Sequence, residues 1–165
     1  MMEFTLTSNE KLQKFNSIFS TIKQVSDAIN LYLREDGIYF QTMDSGHICM
    51  CEMKLAASWF DEYSCDNEHV VGLNTRILSM VTSCFDEKQT LSWKYCGNDS
   101  DNLIISYKSK NEQSKEFNKD FEVPLIELDA EIMQVPEDSE WMMDIVIMSK
   151  RFTKIMSQFE MFGEE

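Results

Sequence analysis

The sequence predicts an α+β fold, mainly antiparallel sheet with two helices on one face. Three observations carry that prediction. Between residues 27 and 125 apolar and polar side chains alternate with the period of a half-buried strand, interrupted by polar turns such as Gly97-Asn98-Asp99. Three windows, 11–26, 69–85 and 145–159, contain no Asp or Glu although the chain carries 29 acids, and each holds a helical apolar pattern. Both prolines, Pro124 and Pro136, bracket the stretch 125–140, whose six acids and absence of bases read as a solvated linker.

Taken in order, the chain opens with a short strand over 4–7. Ser8-Asn9 offers a helix cap, after which Leu12, Phe15, Phe19 and Ile22 recur at helical spacing with Gln13, Asn16, Ser17, Ser20 and Thr21 on the far face. Strands follow over 27–34, 37–43, 48–55 and 70–73. Between the second and third, Asp44-Ser45-Gly46 supplies turn chemistry and leaves a corner carrying Met43, His47 and Ile48. Leu78, Val81 and Phe85 form a shorter helical stripe after Thr75, and further strands are expected over 90–95, 103–108 and 117–125. Beyond the linker a strand over 145–148 precedes a third helix, in which Phe152, Ile155, Phe159 and Phe162 repeat the spacing of the first stripe and Lys154 falls in the phase of Lys14. The chain is expected to start the same strand-helix unit twice. The expected organisation is one domain over 1–124, a solvated linker over 125–140 and the beginning of an incomplete second domain over 141–165.

Composition narrows the functions. Hydrophobic residues make up 43% of the 165, enough for a core, and no apolar run is long enough to cross a membrane. The start, MMEFTLT, lacks the basic flank and apolar run of a signal peptide, which predicts an intracellular protein, and five cysteines without a disulfide-framework spacing fit reduced thiols. A net charge of −14 argues against gripping nucleic acid by bulk attraction. His47-x-Cys49-x-Cys51, with Cys65 and His69 not far off, suggests zinc. Alternate strand residues lie about 6.5 Å apart, however, too far for three ligands with bonds of about 2.3 Å to one ion, so buried structural cysteines are expected. With two histidines, no glycine-rich phosphate loop and no Gly-x-Ser-x-Gly, no catalytic constellation or cofactor site is expected. Met43, Met50 and Met133 lie at the corner or within the charged linker, where a soft, adaptable surface suits peptide capture.

Met43-Asp44-Ser45-Gly46-His47-Ile48 strongly resembles the MDSSHV corner of the proliferating cell nuclear antigen family, the eukaryotic and viral sliding clamps. Asp36-Gly37-Ile38, Tyr63-Ser64-Cys65-Asp66, Gly72-Leu73-Asn74 and the stretch 128–137 fall in the family's order, so the resemblance covers essentially the whole chain. It implies the clamp (processivity) fold, with residues 125–140 as the interdomain connecting loop. It also implies a pocket for the short motif, ending in paired aromatics, of polymerases, nucleases and ligases. Residue by residue the pocket carries over to Met43, His47, Ile48 and Met50 on the corner and to Met133, Val135 and Pro136 on the loop. Methionine and valine replace the leucine and isoleucine common at the first two loop positions.

The resemblance also marks Lys11, Lys14, Lys23, Arg76, Lys150, Arg151 and Lys154 as candidate DNA-facing bases. Of these, Lys14, Lys23 and Lys154 fall on or beside basic positions of the family pattern, while Ser79 and Ser83 stand near positions where the family usually has lysines. The strand over 117–123, with Phe117, Phe121 and Val123, is implied to pair across subunits with a strand late in a full second domain. The function implied is that of a non-enzymatic sliding clamp in DNA replication and repair. Such a clamp encircles duplex DNA independently of sequence, is loaded by a clamp loader, is a homotrimer at full length, and works in the nucleus or, for a virus, at a cytoplasmic replication site. The alternative is a clamp-like module that binds partner peptides without encircling DNA; a membrane role is not expected.

Overall fold

The computed structural model describes residues 1–97, 100–111, 117–129, 132–134 and 143–163. They fall into two compact units, Met1–Met133 and Gln134–Glu165.

In the first unit the elements run β1 (Met2–Leu6), α1 (Asn9–Ile22), β2 (Ala28–Arg34), β3 (Gly37–Met43), β4 (Met50–Ala56), a 3-10 turn (Ala57–Trp59), β5 (Glu62–Cys65), β6 (His69–Asn74), α2 (Thr75–Thr82), β7 (Gln89–Tyr95), β8 (Asn102–Ser109) and β9 (Lys119–Pro124). Two antiparallel sheets form, one in the order β5-β1-β7-β8-β9 and the other β4-β3-β2-β6. Alternation decides which side chains go inward: β7 buries Gln89, Leu91, Trp93 and Tyr95 and turns Thr90, Ser92 and Lys94 outward. The stripe Leu12, Phe15, Phe19 and Ile22 of α1 is fully buried, so its 3.6-residue period meets the sheet along one face. Phe4, Phe15, Phe19 and Trp93 form the centre of the core, with ring centroids 5.0–5.7 Å apart. The buried Tyr107 hydroxyl donates to the Val81 and Thr82 carbonyls at 3.1 and 3.2 Å, which fixes the end of α2 onto β8.

Several expectations are corrected. Ser8 occupies the cap position of α1, but its side chain makes no capping bond; Asn74 caps α2, its Oδ1 accepting from Arg76 N and Ile77 N at 3.1 Å. The strand expected over 48–55 begins at Met50, because the preceding two backbone N–H groups are drawn into the turn. The 3-10 turn and β5 were not expected; a four-residue strand with two half-buried side chains is too short to show a period.

In the second unit, α3 spans Ser149–Glu160 and contains no buried residue, and Phe152, Phe159 and Phe162 are exposed. Residues 145–148 form no ladder among the described residues, so the strand half of the expected repeat is not formed. An apolar alternation specifies a strand only where a neighbour supplies the hydrogen bonds.

Candidate functional site

Strands β3 and β4 form a hairpin in which Met43 faces Met50 across the ladder. The loop between them is organised by one side chain. Asp44 Oδ1 accepts from Ile48 N at 2.8 Å and Cys49 N at 2.6 Å, and Oδ2 accepts from Gly46 N at 3.2 Å. On the main chain, Asp44 N donates to the Cys49 carbonyl and His47 N to the Asp44 carbonyl, both at 3.0 Å. These bonds hold His47 in the left-handed region (φ 56°) and leave Ile48 90% exposed. The Cys49 N–H, followed by those of Ile48 and Gly46, keeps the Asp44 carboxyl below the usual carboxylate range against a smaller opposing effect of desolvation.

The segment after β9 crosses the outer face of the four-stranded sheet along a single row. Gly72, Asn30, Gln41 and Glu52 are successive cross-strand partners on β6, β2, β3 and β4. Their neighbours Val71, Leu31 and Phe40 are buried in the core. Above the row, Ile126 N donates to the Gly72 carbonyl at 2.9 Å in an isolated antiparallel bridge. Asn30 Nδ2 donates to the Leu128 carbonyl at 3.2 Å. Gln41 then holds both backbone groups of Met133, its Nε2 donating to the carbonyl at 2.9 Å and its Oε1 accepting from the N–H at 2.8 Å. The crossing requires glycine at 72, since a Cβ there would stand 2.0 Å from the Ile126 carbonyl oxygen.

Register now places the predicted residues. Met43 lies two residues along β3 from Gln41 on the same face, with Met50 beside it, so the point that holds Met133 is about one strand repeat from the methionine pair. Ile48, Met50, Ile132 and Met133 are exposed apolar side chains, His47 is exposed, and Met43 is half-buried. Val135 and Pro136 lie outside the described residues. Sequence reasoning missed Gly72, Asn30, Gln41 and Ile132. A signal for Asn30 and Gln41 existed, in that each is a primary amide within an otherwise apolar strand, where a buried polar group implies a partner.

Three of the seven predicted bases stand beside acids. Lys11 is bonded to Asp61, Lys14 to Glu10 at 2.6 Å, and Arg76 lies 3.4 Å from Asp27. Burial pushes the Asp61 carboxyl up, but Lys11 together with the Thr7 N–H and hydroxyl outweighs it and holds the group well below the usual range. Lys23, Lys150, Arg151 and Lys154 are exposed and form no ion pair among the described residues. Helices α1 and α2 lie side by side, tied by Thr82 Oγ1 to Asn16 Oδ1 at 3.3 Å, and α2 leaves Ile77 and Met80 exposed.

Strand β9 is an edge of the five-stranded sheet. Phe117 before it is exposed, Phe121 is half-buried with its ring edge-on to Tyr107 at 6.2 Å, and Val123 is buried in the core. Of the three expected interface side chains, Val123 therefore packs inward, and the backbone edge is what the strand leaves open. The cysteines also differ from expectation: Cys49 and Cys96, in the turns before β4 and after β7, are exposed, and Cys51, Cys65 and Cys84 are half-buried at the margin of the core.

A family model described as proliferating cell nuclear antigen, N-terminal domain, matches residues 1–132. Proliferating cell nuclear antigen 2 of Plasmodium falciparum (isolate 3D7) is 27% identical over 154 residues, covering 92% of this chain and 58% of that protein. Proliferating cell nuclear antigen 2 of Drosophila melanogaster is 26% identical over 164 residues, covering 99% of this chain and 61% of its own length. The chain thus spans about three fifths of these curated relatives. The crystal structure of the antigen from Thermococcus kodakaraensis superimposes with a TM-score of 0.71 at 18% identity, over 83% of this chain and 51% of that one, a likeness of fold.

Proposed function

This chain belongs to the proliferating cell nuclear antigen family of non-enzymatic sliding clamps, and on that premise we propose that it captures partner proteins through a short apolar and aromatic motif laid on the β3–β4 hairpin and the connecting segment. The observation that carries the proposal is the placement of Met133, pinned by Gln41 one strand repeat from the Met43–Met50 pair. Exposed Ile48, Met50, Ile132 and Met133 offer apolar area without charge, and burial of two or three such side chains contributes about 1.5–3 kcal/mol each before ordering costs. Met133→Asp is expected to abolish binding of a synthetic peptide ending in paired aromatics; calorimetry showing wild-type affinity would reject the site. Partners of this class are DNA polymerases and other replication and repair enzymes.

The wider role we propose is that of a clamp subunit on duplex DNA, placed there by a clamp loader, homotrimeric at full length and acting in the nucleus or at a viral replication site. The end of the first compact unit at Met133 supports reading 125–140 as the connecting loop, with 141–165 opening a second domain. Edge strand β9, through Phe117 and its neighbours, is the proposed subunit contact. Such a ring needs topology and not affinity to stay on DNA, and with Lys11, Lys14 and Arg76 tied to acids the helix face fits loose tracking. The same neutralisation favours a second reading, an interaction module that never encircles DNA. Retention of the full-length protein on nicked circular duplex, with release on linearisation, separates the two.

A further inference from the structure

We propose that Gln41 is the positioning residue that presets the peptide site by latching the connecting segment to the hairpin, an inference that rests on the peptide-site reading above. A primary amide can present one of its two N–H donors and its carbonyl oxygen side by side, a match for the C=O and N–H of a single backbone residue. Here it uses both on a single residue 92 positions away, at 2.9 and 2.8 Å. Among the described residues the segment is bonded to the four-stranded sheet at three points: Ile126 on Gly72, Leu128 on Asn30 and Met133 on Gln41. The first two leave the chain short of the hairpin. Only the third reaches β3, and it does so at the residue whose side chain the peptide site needs. Ordering that residue before a ligand arrives removes part of the entropy loss on binding, so the latch acts on affinity without touching the ligand.

The latch has a chemical signature that packing alone lacks. Glutamine is neutral at every working pH, whereas glutamate at the same place offers an acceptor to the Met133 N–H but turns a second anionic oxygen toward the Met133 carbonyl. Protonated, that glutamate is a near copy of glutamine: one oxygen accepts from the N–H and its hydroxyl donates to the carbonyl. The charged groups facing position 41 are Glu52 opposite on β4, whose carboxylate accepts from the Tyr39 hydroxyl at 2.9 Å, and Lys54 one pair further along β4. Beyond them stand Arg34, 5.3 Å over the Tyr39 ring, and the exposed Glu127 and Asp129 of the connecting segment. Asn30 and Gly72 on β2 and β6 carry no charge. Acids predominate, which favours protonation of a glutamate at 41 on mild acidification.

The test uses the 165-residue chain with ¹⁵N labelling and a fluorescein-labelled synthetic peptide in which an aliphatic residue precedes two adjacent phenylalanines. Gln41→Met, which keeps length and removes both bonds, is expected to weaken the peptide about tenfold at every pH, the loss of two net hydrogen bonds. Gln41→Glu is expected to lose a similar factor at about pH 7.5 and to regain it as the pH falls toward about 5, with the Met133 amide resonance moving in parallel and the core resonances unchanged. Gln41 is half-buried on the outer face, so both variants retain the core. Peptide affinity and a Met133 amide signal that are the same in wild type and both variants would overturn the latch. A wild-type chain that binds no such peptide would overturn the peptide-site reading instead, and the Met133 amide titration in Gln41→Glu still decides whether the latch exists.

Discussion

The contacts that hold the connecting segment on the outer face of the four-stranded sheet and the paired bases on the helix pair reach local neutrality by opposite routes. On the sheet it comes from composition at the holding points: Gly72, Asn30, Gln41 and the methionines carry no charge although Glu52 and Lys54 flank them, and backbone groups supply the bonding. On the helices it comes from pairing, where Lys11, Lys14 and Arg76 are each met by an acid. The first kind of surface is insensitive to salt and specific in shape; the second is weak, screened and adjustable. A partner peptide suits the former and a passing polyanion the latter.

The contrast is broken most severely by Gly72→Ala. Its methyl group would meet the Ile126 carbonyl oxygen at 2.0 Å, so the connecting segment must lift from the sheet. A loss of about 1–3 kcal/mol in urea denaturation is expected, together with weakened peptide binding, whereas an unchanged midpoint and affinity would show that the crossing is not constrained there.

A smaller effect is expected at Asp44. Its folded-state carboxyl is held below the unfolded value, so its contribution is complete above the ordinary carboxylate range and disappears as the pH falls through the depressed folded value. The Ile48 and Cys49 amide resonances should hold steady from neutrality and begin to move only in stronger acid than an ordinary aspartate requires. In Asp44→Asn that acid transition should vanish while the loop loosens at all pH values; a transition that persisted would assign it to another group.

The smallest effect belongs to the helix face. Binding of the chain to linear duplex should be feeble, with a log–log salt slope of about −0.9 per phosphate contact. Lys23→Glu and Lys154→Glu, at bases without an acidic partner among the described residues, should flatten that slope by about one contact each. Lys14→Glu, already offset by Glu10, should change it less. Equal effects at all three positions would mean that the Lys14–Glu10 pair opens to DNA at no cost.

What could be read in the sequence was what repeats locally. The stripe of α1 and the alternation of β3 appear at the expected residues because 3.6- and 2-residue periods are properties of a short window. The hairpin turn was legible through Asp44 and Gly46, whose side-chain acceptor and small size act within five residues. Gln41 holding Met133 was legible only in half: an amide within an apolar strand announces that a partner exists, but nothing in either neighbourhood names one 92 positions away. The expected strand over 145–148 failed for the converse reason: its pattern is strand-like, but pairing is a property of the partner. Ser8 was expected to cap α1 but makes no capping bond, whereas Asn74, which the sequence reading passed over, caps α2.

The row Gly72-Asn30-Gln41 has an implication for how this surface can change over time. Each member alternates with a core residue, Val71, Leu31 or Phe40, whose side chain points the other way. A one-residue slip of β2 against its neighbours would send Asn30 inward and Ile29, Leu31 and Leu33 outward together, at a cost no single surface change could offset. The binding face is therefore inherited with the interior: substitutions at Met133 or Ile48 can retune what is captured, but the place of capture is locked to the strand register that folds the domain.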